Sequence, residues 1–433
     1  MKRDLLLVFG LLLSTASQLR PLGAPIGPGE LCLVIWIALM LGRETISRGP
    51  QFTPALSRLV LFWLLFAVAQ SIGTLAGFAT GDAHDSYLFM HDVMAYPLLA
   101  AISTLSVVGP GAGPRLHRVA WFLVTLGSAT LALQVVQAWE WVSFGSIDPW
   151  YWERMRGWSD NPNQLAFLCA MLGLLSLHLA DVAASASARI AAIAAAVLPV
   201  YVGRLTKSDT FGLVLLAAGP IFIALKLRTW LLSQRPMLTV RSASAWIAIL
   251  ALPLLLVSAA PFGYSLAVEA QELVKEMAKG NQQDTEQTAQ LRFLAWWQAI
   301  DRGLDSGMLG LGPGPHLPIP DLLLAGRQDP TGEPKYIEHP EVNGTLNFEA
   351  HNTLLDIFTQ GGLMAVLSLV WLIAATFLLT YRTRLDGLTT LLCGLTIFSI
   401  FHLIVRHPIF WFAIAICLVA AQGRKASLMR RWS

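Results

Sequence analysis

A chain of 433 residues that is 55% hydrophobic and only 13% charged carries about half the charged share of a soluble domain, roughly 25%, which excludes a water-soluble globular protein. The net charge of +3 is too small to grip a polyanion, so nucleic acid is excluded as a partner and the placement of charge matters more than its sum. Cys32, Cys169, Cys393 and Cys417 all fall inside apolar runs, without metal-ligand or Cys-x-x-Cys spacing, so they read as small buried residues and no metal site or cofactor is expected.

In chain order, apolar runs near 4–19, 29–42, 56–78, 88–108, 118–139, 164–181, 188–203, 209–227, 244–263, 353–380, 388–404 and 408–421 are long enough to cross a bilayer. The expected fold is therefore an all-α polytopic membrane protein of about twelve transmembrane helices. The first run follows Lys2 and Arg3 and has no convincing small-residue cleavage site before Pro21, so it reads as a signal anchor that stays. Cytoplasmic loops carry the excess of Lys and Arg. An N-terminus placed inside makes every cytoplasmic segment basic, from Arg43 and Arg48, through Lys226, Arg228, Arg235 and Arg241, to the tail with Arg424, Lys425, Arg430 and Arg431. Both termini are then cytoplasmic.

The exceptions to that charge rule carry information. Arg154, Arg156, Arg204, Lys207 and Arg406 sit in short outside loops near helix ends, and with Arg292 they suggest one outward-facing cationic cup. Guanidinium groups grip phosphate oxygens by two-point charged hydrogen bonds, so the cup suits a phosphate-bearing ligand. Arg154 and Arg156 belong to the string from Trp152 to Gln164, in which Asp160 or Asn161 can cap the sixth helix and Pro162 suits its first turn. A capped helix behind an interfacial belt of Trp150, Trp152 and Trp158 explains the aromatics but not two arginines on that side. Arg204 to Asp209 forms a second polar turn, where Ser208 can cap the eighth helix and Lys207 reaches either a phosphate or lipid headgroups.

Between the ninth and tenth runs lies a polar insert, 264–350, too long for an idle loop. It holds amphipathic stretches at 267–279 and 285–302, the second with Arg292, Trp296 and Trp297, and then a Gly/Pro-rich turn from Gly310 to Pro320. It ends at His351 and Asn352, at the mouth of the tenth helix. His351, with Glu349 and Asn352 available to fix its tautomer, is a base of near-neutral pKa, which is what deprotonating a sugar hydroxyl uses. No zinc spacing, Walker loop or nucleophile elbow occurs.

Three strings in this order carry a resemblance: Arg154-Met-Arg-Gly-Trp-Ser-Asp-Asn-Pro-Asn-Gln-Leu-Ala166; Leu291-Arg292 with Trp296-Trp297-Gln298-Ala299 and Gly310-Leu-Gly312-Pro-Gly314; and His351-Asn352-Thr-Leu-Leu with Gly361-Gly-Leu363. They resemble the O-antigen ligase and polymerase superfamily of bacterial envelope glycosyltransferases, over about residues 150 to 380. The resemblance implies a metal-independent, all-helical enzyme of the GT-C type on the outer face of the inner membrane. Its donor would be an undecaprenyl-diphosphate-linked glycan. Where many relatives have Ser-Arg at the start of the eighth helix, this chain has Ser208-Asp209.

The expected organisation is membrane helices in 1–263, a periplasmic lid in 264–350, and membrane helices with a basic tail in 351–433. The expected activity is inverting transfer of the glycan to an acceptor hydroxyl, with the lipid A core as acceptor in a ligase. His351 would be the base, Arg154, Arg156, Arg204 and Arg292 would bind the diphosphate, and Asn352, Asn161 and Lys207 would support them. The alternatives are a polymerase, whose acceptor is another lipid-linked repeat, and a transporter of lipid-linked glycans. Transporters place polar groups near the midplane and often repeat internally, whereas these cations cluster at one face.

Overall fold

The computed structural model describes residues 2–20, 26–46, 52–81, 86–109, 111–142, 147–233, 243–244, 246–247, 282–318 and 348–429. Most of the ninth expected run, the stretch 267–279 and the middle of the insert, 319–347, lie outside the described residues. Within them the chain is predominantly helical. The helices are α1 (Lys2–Leu13), α2 (Pro28–Ile46), α3 (Pro54–Thr80), α4 (Ser86–Val107), α5 (Ala112–Ala138), α6 (Pro162–Val182), α7 (Ala186–Leu205), α8 (Asp209–Ser233), α9 (Gln282–Asp305), α10 (Thr353–Arg382), α11 (Asp386–Phe401) and α12 (Pro408–Met429). A two-stranded antiparallel hairpin, β1 (Trp150–Tyr151) and β2 (Arg154–Met155), stands between α5 and α6.

Eight of these helices, α3 to α8, α10 and α12, are long and apolar enough to cross a membrane. Eleven of the twelve expected runs coincide with a helix, but α1 has 12 residues and α11 has 16, below the length of a full span. α6 is the axis, with 78% of its hydrophobic window buried; α7 and α8, at 22%, are peripheral. Lipid tails are as apolar as leucine, so helices in a bilayer associate by close packing rather than by hydrophobic exclusion, and small residues allow it. A Cβ on Gly203 of α7 would stand 2.1 Å from the Phe211 ring, and one on Gly127 of α5 would stand 2.7 Å from Leu172 of α6.

The helix starts follow local chemistry. Thr53, Asn161, Ser185 and Asn352 cap α3, α6, α7 and α10 through side-chain oxygens that accept backbone N–H groups, each stabilising its helix by about 1 kcal/mol. Pro54 and Pro162 occupy the first turn, where no N–H is missed.

Polar side chains gather the helix ends into two groups. At one end, Arg118 pairs with Asp4, Lys226 with Asp181 and Asp386, and Arg228 donates to the Tyr381 carbonyl, joining the start of α1, α5 and α11 to the end of α6, α8 and α10. At the other end, Gln18 donates to the carbonyls of Asp148, Gly157 and Ser159 at 2.8–3.0 Å, tying the turn after α1 to the α5–α6 loop.

α10 is broken. Gly361 and Gly362 leave helical geometry, Gly362 at φ 62 and ψ −163. A broken helix exposes carbonyls, and an unsatisfied backbone group in hydrocarbon costs several kcal/mol. The glycine-rich turn of the insert answers this. Leu311 and Gly312 donate N–H groups to the carbonyls of Thr359 and Gln360, both at 2.8 Å, and Leu363 donates to the Met308 carbonyl at 2.9 Å. Gly310, Gly312 and Gly314 all have φ between 83 and 106, and a Cβ on Gly310 would lie 2.5 Å from the Gln360 carbonyl oxygen.

Candidate active site

The hairpin carries Arg154 to the junction of three elements. Its Nε donates to the Thr206 carbonyl beyond α7, and its Nη2 donates to Oδ1 of Asn163 in the first turn of α6, both at 3.0 Å. Burial lowers its pKa from 12.5, Asp209 opposes this, and the nearby Arg292 lowers it further. Two guanidiniums therefore share one neighbourhood.

Arg292 comes from α9, which spans the amphipathic stretch 285–302. Its guanidinium lies 5.9 Å from the centroid of Phe401 at the end of α11. α9 is fixed by a small apolar cluster of Ala295, Ala299, Leu317 and Ala350, packed with Trp296, Phe348 and Leu355. A bridge between Leu317 and Phe348, with hydrogen bonds of 2.9 and 3.1 Å, pairs the two flanks of 319–347.

His351 stands at the mouth of α10 with φ 52, a left-handed conformation that a side-chain-bearing residue adopts only when held. The ring of Phe348 meets its imidazole edge-on at 5.4 Å. His351 exposes surface, but the protein crowding its ring lowers its pKa from 6.5. Glu349 opposes that shift, and Arg292 and Arg406 add to it. Arg154, Arg292 and His351 are thus brought into one electrostatic neighbourhood. His402, which follows α11, belongs to the same group: burial, then Arg292 and His351, push its pKa down to about 3. A nitrogen that weak is a poor proton acceptor near neutral pH.

Other expected site residues have different surroundings. Arg156 donates from Nε to the Asp148 carbonyl and pairs through Nη2 with the Asp148 carboxylate, both at 3.0 Å. Lys207 pairs with Glu153 at 2.7 Å, clasping the hairpin turn to the α7–α8 turn. Arg204 is exposed on the last turn of α7. Asn161 and Asn352 act as helix caps. Arg406, read from sequence as part of the cup, pairs instead with Glu349 and with the buried Asp92. Its pKa rises well above 12.5 because those carboxylates outweigh the opposing effect of burial. Glu349 is therefore engaged with Arg406, and Asn352 with the α10 backbone. Trp296 is half-buried and donates from Nε1 to the Ala350 carbonyl at 3.1 Å, while Trp297 is 65% exposed. Trp150 and Trp158 are bonded to α5, through Ala138 and Gln137. The Ser208 hydroxyl is buried without a hydrogen bond among the described residues and caps nothing.

Residues 172–370 match the family model described as O-antigen ligase. Over this region, just under half of the chain, the sequence is similar to the O-antigen ligase superfamily. The ligase-family region runs from the middle of α6 to the middle of α10. It takes in Arg204, Arg292, the glycine-rich turn, His351 and the α10 break, and leaves Arg154 just before it. No curated protein matches the chain. Together with eight apolar helices, the match supports a multi-pass membrane protein with a glycosyltransferase-like activity on lipid-linked glycans.

Sequence reasoning missed Asn163, Thr206 and Asp356. Asn163 lies inside the Asn-Pro-Asn string, but its partner Arg154 is nine residues away in a hairpin. Asp356 had a signal, a carboxylate one turn after an N-cap asparagine, close to the capping-box pattern. Among the described residues, no group of three His, Cys, Asp or Glu side chains is arranged to hold a metal ion.

Proposed function

We propose that this protein transfers a glycan from undecaprenyl diphosphate to an acceptor sugar hydroxyl, as an O-antigen ligase that uses the lipid A core. The observation that supports the reading is that Arg292 acts electrostatically on both Arg154 and His351 at one end of the bundle. Two neighbouring guanidiniums repel each other, and a diphosphate relieves that repulsion while accepting their hydrogen bonds. In the reaction, His351 takes the proton from the acceptor hydroxyl. The hydroxyl oxygen bonds to the anomeric carbon with inversion, and the bond from that carbon to the diphosphate oxygen breaks. The negative charge left on the diphosphate falls to Arg154 and Arg292, with Arg204 at the rim, preorganised donors of the kind that lower such barriers. Arg156, held by Asp148, supports the loop that carries Arg154.

In this reading residues 264–350 cover the site on the periplasmic face of the inner membrane and exclude water, whose attack on the donor is the competing reaction. Both termini are cytoplasmic. The test is to incubate purified protein with a defined lipid-linked glycan and two acceptors, a core lipid and a second donor molecule. Capping of the core lipid supports the ligase, lengthening of the donor glycan makes the protein a polymerase, and transfer to neither overturns the proposal.

A further inference from the structure

His351 is held from both sides. A backbone conformation is set by the planes of its two flanking peptides, and each of these is fixed by a different side chain. The peptide between Ala350 and His351 is held through the Ala350 carbonyl, which accepts the Trp296 Nε1–H at 3.1 Å. The peptide between His351 and Asn352 is held through the Asn352 N–H, which donates to Asp356 Oδ2 at 3.0 Å. The other oxygen of the same carboxylate, Oδ1, accepts the Ala350 N–H at 2.7 Å. Asp356 is 4% exposed. Its two bonds go to residues on either side of the strained His351, while the helix cap itself is made by Asn352, which accepts from Leu354 and Leu355. The carboxylate is therefore an addition to the cap.

We infer that Asp356, with Trp296, is a positioning residue that holds the His351 imidazole at the angle from which it reaches the acceptor hydroxyl. The inference rests on the assignment of His351 as the base. It gives Trp296 a role from inside the protein, as a backbone clamp carried in by α9, so docking of the insert and orientation of the base become one event. Asparagine cannot replace Asp356: it offers one acceptor oxygen to two N–H donors and turns an amide N–H toward the second. Phenylalanine at 296 keeps the ring and loses the clamp.

The test is a double-mutant cycle on the full-length protein, with turnover measured at saturating donor and acceptor and donor binding measured separately. In the parent background, Asp356→Asn and Trp296→Phe each lower turnover by about 10- to 100-fold, the cost of a small misplacement of a reacting group, with donor binding unchanged. In the His351→Ala background the same substitutions cost less than about twofold, because there is no imidazole left to misplace. An equal fold loss in both backgrounds assigns Asp356 a purely structural role and overturns the inference. So does parental turnover in both single variants while His351→Ala is inactive. Full activity of His351→Ala removes the base assignment itself, and the inference with it. Trp296→Phe lies outside α10, so it decides the question if Asp356→Asn does not fold.

Discussion

Arg154 and Arg156 are two residues apart and have different partners. Arg154 spends Nε and Nη2 on a carbonyl and an amide, both neutral groups, and feels the Asp209 carboxylate only through space, whereas Arg156 pairs directly with the Asp148 carboxylate. Arg154 is therefore the less neutralised of the two. Arg154→Ala and Arg292→Ala are therefore expected to lower kcat/KM for the donor by roughly 10- to 100-fold, the equivalent of a charged hydrogen bond of about 1.5–3 kcal/mol. Arg156→Ala is expected to change it less than about threefold. Initial rates at limiting donor check this, and equal losses at 154 and 156 contradict the distinction. Arg154→Lys should fail to rescue, since one ammonium cannot span both Thr206 and Asn163 as the planar fork does. The sequence marked both arginines through the same broken charge rule. It was silent on which one is neutralised, because Asp148, Thr206 and Asn163 become partners only once the hairpin and the α6–α7 pair are folded.

At the scale of elements, α9 and α10 form one device. The periodicity of 285–302 was sufficient to indicate a helix, and α9 covers it with a few residues to spare. Run 353–380 read as an unbroken span, because an apolar sequence with Gly361-Gly362 in it does not reveal whether the helix continues. The break depends on a partner more than 40 residues earlier in the chain, the glycine-rich turn that satisfies its carbonyls. That coupling predicts a contrast between two glycines of similar φ. A Cβ on Gly362 (φ 62) would sit 2.1 Å from the Met308 carbonyl oxygen, while one on Gly81 (φ 71), after α3, meets nothing within 4 Å. Gly81→Ala is expected to cost about 1 kcal/mol. Gly362→Ala meets that clash and also a backbone region, φ 62 and ψ −163, open essentially to glycine alone, and is expected to cost more than about 3 kcal/mol. Thermal unfolding of the two variants in detergent compares them, and similar Tm values contradict the packed turn.

For the whole molecule, the alternation of helix ends agrees with the order of sides that the charges gave: Arg154 and Lys207 gather the α5–α6 loop and the α7–α8 turn at one end, and Lys226 and Arg228, near the end of α8, bind the end of α6, the end of α10 and the start of α11 at the other. The absolute orientation is a prediction. With the four native cysteines replaced by alanine, Glu153→Cys should react with an impermeant thiol reagent in intact spheroplasts and Ser187→Cys should not; the reverse labelling turns the site to the cytoplasm. The central claim is proton abstraction by His351 in glycan transfer, and the pH–rate profile of the parent and of His351→Gln tests it most directly. A base must be unprotonated, and burial lowers the His351 pKa from 6.5. The acid limb of parental turnover is therefore expected to be centred below pH 6.5. His351→Gln, which keeps a hydrogen-bonding group but no base, is expected to be slower by about 10²–10⁴-fold, with donor binding intact and the acid limb gone. A glutamine variant with near-parental turnover and the same acid limb contradicts the account.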